Sequence, residues 1–532
     1  MVAALIPVNI LEIVDTSETS VMDATKESSG KGHTAGFVLW AGLIVLITVV
    51  SYIPSVSGGF VWDDAIYITG NPLVRASDGL HRFWLTTEAF DYYPLTWSLW
   101  WVEWRLWAEN AFGYHVVSIL FHAINALLVW VILRRLNIRG SWLAALLFAV
   151  HPVNVATVAW ISEQKNTLSM LFYAVAIFLY IKFDGDGQRI WYLLSLSSFI
   201  LALLSKSAVV MLPVVLLACV WWQRGRVCWK DLLRTAPFFV LSFVFGIITI
   251  WFQYNRVLRG HPARSDSFLS RLLTAGWALW FYLYKAILPF HLAAIYPKWN
   301  INLAALASYV PPVLLVACFT LSYWKVETWG RPLLFAFGYF AVTLFPVLGF
   351  FDQNFYQYSL VADHWQYYSI VGVIALAVAA ADSVLGRIGD GGRYAGWMAG
   401  AVVTLALGSA TWSRTHVYAD SQTLWRDAVA KNPNAWAAHT NLGNALLETG
   451  KVQEAVGQYE QALRIEPFLA EPHNNLGTIL VQAGRLQDAI VQYEQALQVK
   501  LDYPEAQNNL GAALCVPGDL MERLHTLQRR CS

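Results

Sequence analysis

The sequence predicts an all-α protein, a polytopic transmembrane helix bundle of about ten to twelve spans followed by a short C-terminal solenoid of helical repeats. Three observations carry this. The 532 residues are 57% hydrophobic and only 13% charged, with 26 Trp, a composition that ordinary soluble domains do not carry. Apolar runs long enough to cross ~30 Å of hydrocarbon as helices recur from residue 36 to 412. Beyond them, Leu-Gly pairs return every 34 residues. A net charge of +1 argues against a global field for nucleic acid. The five cysteines, Cys219, Cys228, Cys318, Cys515 and Cys531, show neither metal spacing nor a disulfide framework.

Residues 1–35 are polar, lean acidic and lack the basic start and cleavage site of a signal peptide, so they read as a disordered N-terminal tail. The transmembrane domain follows over 36–413. Its long apolar runs centre on 36–54, 114–133, 235–253, 272–290, 303–324, 332–351, 364–385 and 394–412. Shorter runs at 141–158, 167–183, 190–204 and 207–223 suit spans packed inside a bundle. Basic clusters at 134–139, 182–189, 224–234 and 387–393 belong in the cytoplasm by the positive-inside bias, which turns the 55–113 loop and the C-terminal repeats outward. Alternation then makes 254–271 external although it holds Arg256, Arg259, Arg264 and Arg271. Either one apolar segment is re-entrant, or these arginines are outside to bind an anionic ligand.

The repeat domain spans 414–532. Gly443, Gly477 and Gly511 recur at the tetratricopeptide period, with Leu442, Leu476 and Leu510 before them. Small Ala455 and Ala489 let the two helices of a repeat approach, and Tyr459 and Tyr493 fill the space between neighbours. A half repeat containing Trp425, Ala428 and Pro433 starts almost at the membrane, and after Gly518 the pattern decays into an incomplete last repeat, either a divergent cap or the remnant of a longer array.

Chemistry concentrates in the external acidic loop of 55–113, where Asp63-Asp64 follows Trp62 at the edge of the first span. Carboxylates beside hydrocarbon are costly to desolvate and are kept for chemistry or ion handling. The loop's many Trp and Tyr residues suit a sugar or a polyisoprenyl head group, and also favour the membrane interface by themselves. Further polar positions interrupt the apolar pattern: His151-Pro152, Glu163 with Lys165, Lys206, and Asp363-His364. His151 also fits a helix cap before Pro152, and a lone lysine between apolar runs also fits snorkelling.

Taken in order, Phe60-Val61-Trp62-Asp63-Asp64 with Tyr67 and Asn71, His151-Pro152 with Trp160, Glu163 and Lys165, Ser205-Lys206 with Pro213, Ala362-Asp363, and membrane-proximal repeats resemble the transmembrane and tetratricopeptide-repeat-containing proteins. These are similar to the protein O-mannosyltransferases within the GT-C glycosyltransferases. Ala156 stands where the resemblance leads one to expect an acid, His364 where it leads one to expect an arginine, and the array is shorter than in animal relatives.

The resemblance implies a GT-C-like membrane domain that transfers a mannose-like sugar, with inversion, from a polyprenyl phosphate to a protein hydroxyl or other acceptor. Asp63 and Asp64 are the candidates for the base that accepts the acceptor's proton. Lys165, Lys206, Arg256, Arg259 and His364 are candidates for meeting the leaving phosphate, and Tyr67, Asn71, His151, Glu163 and Asp363 for lining the substrate loop. Asn441, Asn475 and Asn509, one per repeat, are candidates for gripping a polypeptide. Expected partners are the lipid-linked donor, the bilayer and a polypeptide, with no nucleic acid. A monophosphate donor requires no metal or other cofactor. Localisation is a multi-pass membrane of the bacterial inner or endoplasmic-reticulum type, with the repeats on the external or lumenal side. A non-catalytic membrane scaffold recruiting proteins through the repeats is the alternative, and the same fold serves it.

Overall fold

A computed structural model describes residues 26–260 and 263–515, and among these the regular structure is entirely helical. The first helix, α1 (Lys26–Tyr52), begins upstream of the apolar run at 36, so part of the expected tail is helical. The rest of that tail lies outside the described residues. Next come α2 (Pro94–Trp107), inside the acidic loop, and α3 (Ala111–Arg135). Asn110 caps α3 by accepting from the Phe112 amide at 3.1 Å, and Arg134 and Arg135 close it where the helix dipole favours cations.

Helix α4 (Ser141–Ala149) and the short helices at 152–158 form one apolar unit bent by 45°. The bend falls at Pro152, which has no amide proton to continue the ladder. The membrane bundle continues through α5 (Gln164–Asp186), α6 (Arg189–Ser205), α7 (Leu212–Arg224), α8 (Trp229–Phe252), α9 (Phe268–Ile287), α10 (Val310–Trp324), α11 (Arg331–Leu344), α12 (Ile370–Leu385) and α13 (Asp390–Thr415). Among the described residues nine helices are long and apolar enough to cross a membrane, ten with the bent pair, and α6 is a shorter apolar helix. Helix α5 is among the most buried of them, packed chiefly on α3 and α6, whereas α8, α10 and α13 leave most of their apolar surface outward, as helices facing lipid do.

Segment 272–290, expected as a span, is α9, which does not cross. Both its first turn and its second half meet the same 345–369 connection. Arg271 pairs with Asp352 at 3.2 Å near the start, and the Tyr282 hydroxyl accepts from the Ala362 amide at 3.1 Å further along. At its end the Ala286 carbonyl meets His151 at 3.1 Å. Charged Arg271 and Lys285 reduce its apolar character, so it lies along the acidic-loop end of the bundle. The parity conflict is thereby removed. Residues 253–271 are on the acidic-loop end, with Gln253 donating to Asp91 at 2.6 Å and Arg256 to the Glu88 carbonyl at 3.1 Å, while the 134–139 cluster sits at the far end of α3.

The repeats form helical pairs from α14 (Ser421–Lys431) and α15 (Trp436–Glu448) through α16 (Val452–Ile465), α17 (Ala470–Gln482), α18 (Leu486–Val499) and α19 (Pro504–Leu514). The periodic glycines have a steric cause: a Cβ on Gly443 would lie 2.5 Å from the Tyr459 ring, and one on Gly477 2.6 Å from Tyr493. Overpacking of this kind costs ~1–3 kcal/mol, so Gly443→Val is expected to lower the repeat domain's stability by that amount, measured by chemical unfolding against Gly457→Ala, where no atom crowds the position. The expected incomplete end beyond residue 515 lies outside the described residues.

Candidate functional site

The local backbone separates the acidic pair. Trp62 adopts φ +51°, a left-handed conformation that costs a bulky residue ~1–3 kcal/mol unless its surroundings enforce it. Here they do. The Trp62 ring stacks on Trp160 at 4.8 Å and meets Trp425 of the first repeat helix edge-on at 4.8 Å. The Gly59 amide also donates to the Ala419 carbonyl at 2.8 Å, so the loop is held by the membrane domain on one side and by the start of the repeats on the other.

Asp64 is fully buried and its oxygens are engaged. It accepts from the Val61 amide at 2.8 Å, from the Ser162 amide at 2.7 Å and from the Ser162 hydroxyl. Burial pushes its carboxyl up to about 7 despite these bonds. Asp64 therefore pins the loop to the segment that opens α5. Replacing it by Ala strands three buried donors at ~1–3 kcal/mol each; the expected result for Asp64→Ala is a large loss of thermal stability in detergent, with Asp64→Asn intermediate.

Asp63 is only partly buried and has a different neighbourhood. Burial is the main cause that lifts its carboxyl to about 6; Lys165 opposes the lift and Glu163 adds to it. Glu163 is 2% exposed and sits at the centre of a cationic cluster, 2.9 Å from Lys165 Nζ, 3.4 Å from Lys206 Nζ and 4.0 Å from His364 Nε2. Asn166 donates to it as well. The Lys165 ammonium lies 5.0 Å from the Tyr67 ring centre, and the Tyr67 hydroxyl pairs with Tyr93. Burial holds His364 down at about 4, so at neutral pH it offers a neutral imidazole rather than a permanent charge.

The structure thus brings together Asp63, Tyr67, Glu163, Lys165, Lys206 and His364 from the acidic loop, the start of α5, the end of α6 and the 345–369 connection. The other predicted positions lie elsewhere. Asn71 caps the short helix at 72–75, accepting from the Leu73 amide at 2.9 Å and donating to the Ile66 carbonyl at 3.1 Å. His151 caps the turn at Pro152 and faces the Ala286 carbonyl. Asp363 turns away from its neighbour His364 to accept from Tyr296 at 2.7 Å, in a second buried group with Arg414, which pairs with Asp427 of α14 at 2.6 Å. Arg256 and Arg259 are exposed beyond the cluster. The asparagine ladder turns its amides inward: Asn441 donates to its own helix at Ala437, Asn475 to Asn444 at 2.9 Å and Asn509 to Asn474 at 3.0 Å.

Two residues were not legible as part of the site. Ser162, which orients Asp64, is a small polar residue with no distinguishing pattern. Asp91 is, in sequence, only one more acid among the loop aromatics; its place, bonded to Gln253 and felt by both Lys165 and Lys206, depends on a contact across 162 positions of sequence.

Fold and cluster together define a polytopic helical membrane domain with a buried acid–base cluster under an aromatic loop, joined directly to a tetratricopeptide solenoid. The dolichyl-phosphate-mannose-protein mannosyltransferase family matches residues 94–252, and tetratricopeptide repeat families match 405–470 and 477–515. Protein O-mannosyl-transferase F38B6.6 of Caenorhabditis elegans is 22% identical over 461 residues, 82% of this chain and 64% of the relative. Protein O-mannosyl-transferase TMTC3 of Mus musculus is 30% identical over 191 residues, 34% of this chain and 21% of the relative. TMTC4 of Homo sapiens is 32% identical over 201 residues, 31% of this chain and 27% of the relative. The chain is therefore similar to proteins named protein O-mannosyl-transferases, and it spans less than two thirds of the length of these relatives.

Proposed function

We propose that this protein is an inverting membrane glycosyltransferase that moves a mannose-like sugar from a polyprenyl phosphate to a hydroxyl on a polypeptide, on the external or lumenal side. The observation that carries the reading is the division of labour within the acidic pair: Asp64 is spent on holding the loop, whereas Asp63 keeps a free carboxylate beside a buried cluster containing two lysines. In the reaction the acceptor oxygen attacks the anomeric carbon as the sugar–phosphate bond breaks. The bonding pair leaves with the polyprenyl phosphate, and the hydroxyl proton passes to Asp63. Lys165 and Lys206 meet the charge that develops on the phosphate, and Glu163 holds both ammonium groups in place until it arrives. His364 contributes a hydrogen-bond donor. Arg256 and Arg259, exposed on the same end of the bundle, serve the approach of the anionic head group rather than its chemistry.

A carboxylate base must be ionised to act. With Asp63 lifted to about 6, transfer is expected to fall as pH drops through about 6 and to level off above it. The test is initial-rate transfer from polyprenyl-phosphate mannose to acceptor peptides by the full chain in nanodiscs, measured across pH 5 to 8. A rate that rises toward low pH would remove Asp63 from the role of base. In this reading the repeats, whose first helix contacts the acidic loop through Trp425, present the acceptor polypeptide beside the site.

A further inference from the structure

At the end of the bundle opposite the acidic loop, two cavities join. An apolar slot of about 310 Å³ runs among α3, α5, α7, α11 and α12, lined by side chains such as Val129, Met170, Tyr173, Cys219, Tyr339 and Ala375. It opens at Asn137 and Arg139 and shares Leu136, Asn137, Trp222 and Pro332 with a polar vestibule of about 640 Å³. Glu327 and Arg331 line the vestibule. Arg331 donates to the Trp221 carbonyl at 3.0 Å and to the Trp222 carbonyl, yet its Nε is buried with no partner. Among the described residues no carboxylate lies within ion-pair distance of Arg139 or Arg331.

An apolar slot inside a membrane bundle, with Arg139 at its mouth and opening on a polar chamber where Arg331 has no carboxylate within ion-pair distance, has the shape and polarity of an amphiphile. We infer that it binds an anionic phospholipid, with one acyl chain in the slot between α5 and α11 and the phosphate head group in the vestibule against Arg331 and Arg139. Three observations select this occupant. The slot is walled by membrane helices and is nearly devoid of polar partners, which excludes a peptide segment whose backbone would go unsatisfied. The charged residues lining slot and vestibule together are Arg139 and Arg331 against the single carboxylate of Glu327, a net positive balance, and basic pockets between transmembrane helices recruit anionic head groups. The mouth lies where α3 ends at Arg134 and Arg135, the end that the positive-inside bias assigns to the leaflet carrying anionic lipid. This site is separate from the donor site, which lies at the other end of α3, and it does not depend on the enzymatic reading.

The inference is tested with the full chain in phosphatidylcholine nanodiscs doped with one of two photoreactive probes, phosphatidylglycerol or phosphatidylcholine carrying a diazirine on one acyl chain. Crosslinked peptides are mapped by mass spectrometry. Labelling of the peptides containing Met170 and Tyr339 is expected to favour the phosphatidylglycerol probe. Arg139→Gln should cut that preference about fivefold, the effect of one arginine near an anionic surface. Ala375→Phe, which fills the slot, should abolish labelling there. Arg139 is exposed and outside the helices, so its variant keeps the test decisive if Ala375→Phe folds poorly. Equal labelling by the two probes, or labelling indifferent to Arg139→Gln, would overturn the inference. Displacement of the phosphatidylglycerol label by a polyprenyl phosphate would overturn it as well, because the slot would then hold the donor's tail.

Discussion

Asp63→Asn is expected to lower sugar transfer by ~10²–10⁴-fold while leaving the protein inserted and folded, since a positioned base contributes about that much and Asn cannot accept the proton. The side chain makes none of the hydrogen bonds that fix the loop; those belong to Asp64. Stability and rate should therefore separate between the two neighbours, with Asp64 variants losing both and Asp63 variants losing rate alone. The check is single-turnover transfer from a polyprenyl-phosphate sugar alongside the detergent melting temperature of each variant. If Asp63→Asn retains full activity with Asp64→Asn also active, the chain is better described as a scaffold whose aromatic loop docks the repeats.

Glu163→Gln carries the second large effect. Glu163 is buried between Lys165 at 2.9 Å and Lys206 at 3.4 Å, and removing its charge leaves two ammonium groups facing one another in a low-dielectric setting. Breaking a buried charge arrangement by deleting one partner costs ~3–5 kcal/mol, because the remaining charge has no compensation. We expect Glu163→Gln to melt well below the parent in detergent. Addition of polyprenyl phosphate should recover part of the loss, since its anionic head would replace the missing carboxylate between the lysines. A Glu163→Gln variant as stable as the parent, and indifferent to polyprenyl phosphate, would show that the lysines do not depend on that carboxylate.

The sequence made the repeats most legible, because their period records a direct steric fact: Gly443 and Gly477 lie under Tyr459 and Tyr493, so no side chain fits. Most spans were equally plain from length and apolarity. Helix α9 was not, since an amphipathic helix lying along the end of a bundle has nearly the apolar content of a span, and only its contacts with Gly349, Asp352 and Ala362 distinguish the two. Within the site, Glu163, Lys165 and Lys206 could be singled out as charges interrupting apolar runs, but not that one carboxylate gathers both cations. The roles of Asp63 and Asp64 are indistinguishable in a two-residue motif. They diverge through the left-handed backbone at Trp62 and the two tryptophans, Trp160 and Trp425, that hold its ring from distant parts of the chain. The asparagine ladder has the right period, but a period does not say which way an amide points: Asn475 and Asn509 donate to neighbouring helices and Asn441 to its own.

The repeats are also joined to the membrane domain through charged groups. Asp427 of α14 pairs with Arg414, which also acts on Asp363, and the next residue, His364, reaches Glu163. Two buried polar groups, one tied to the first repeat helix through Arg414 and Asp427 and one around Glu163, are thus held by adjacent residues of the same connection.

The most direct measurement is a structure of the full chain in nanodiscs with a polyprenyl-phosphate mannose bound. Phosphate oxygens are expected within hydrogen-bond distance of Lys165 and Lys206, with the anomeric carbon open to an acceptor beside the Asp63 carboxylate. A head group bound away from this cluster, with Asp63 facing no part of the sugar, would contradict it.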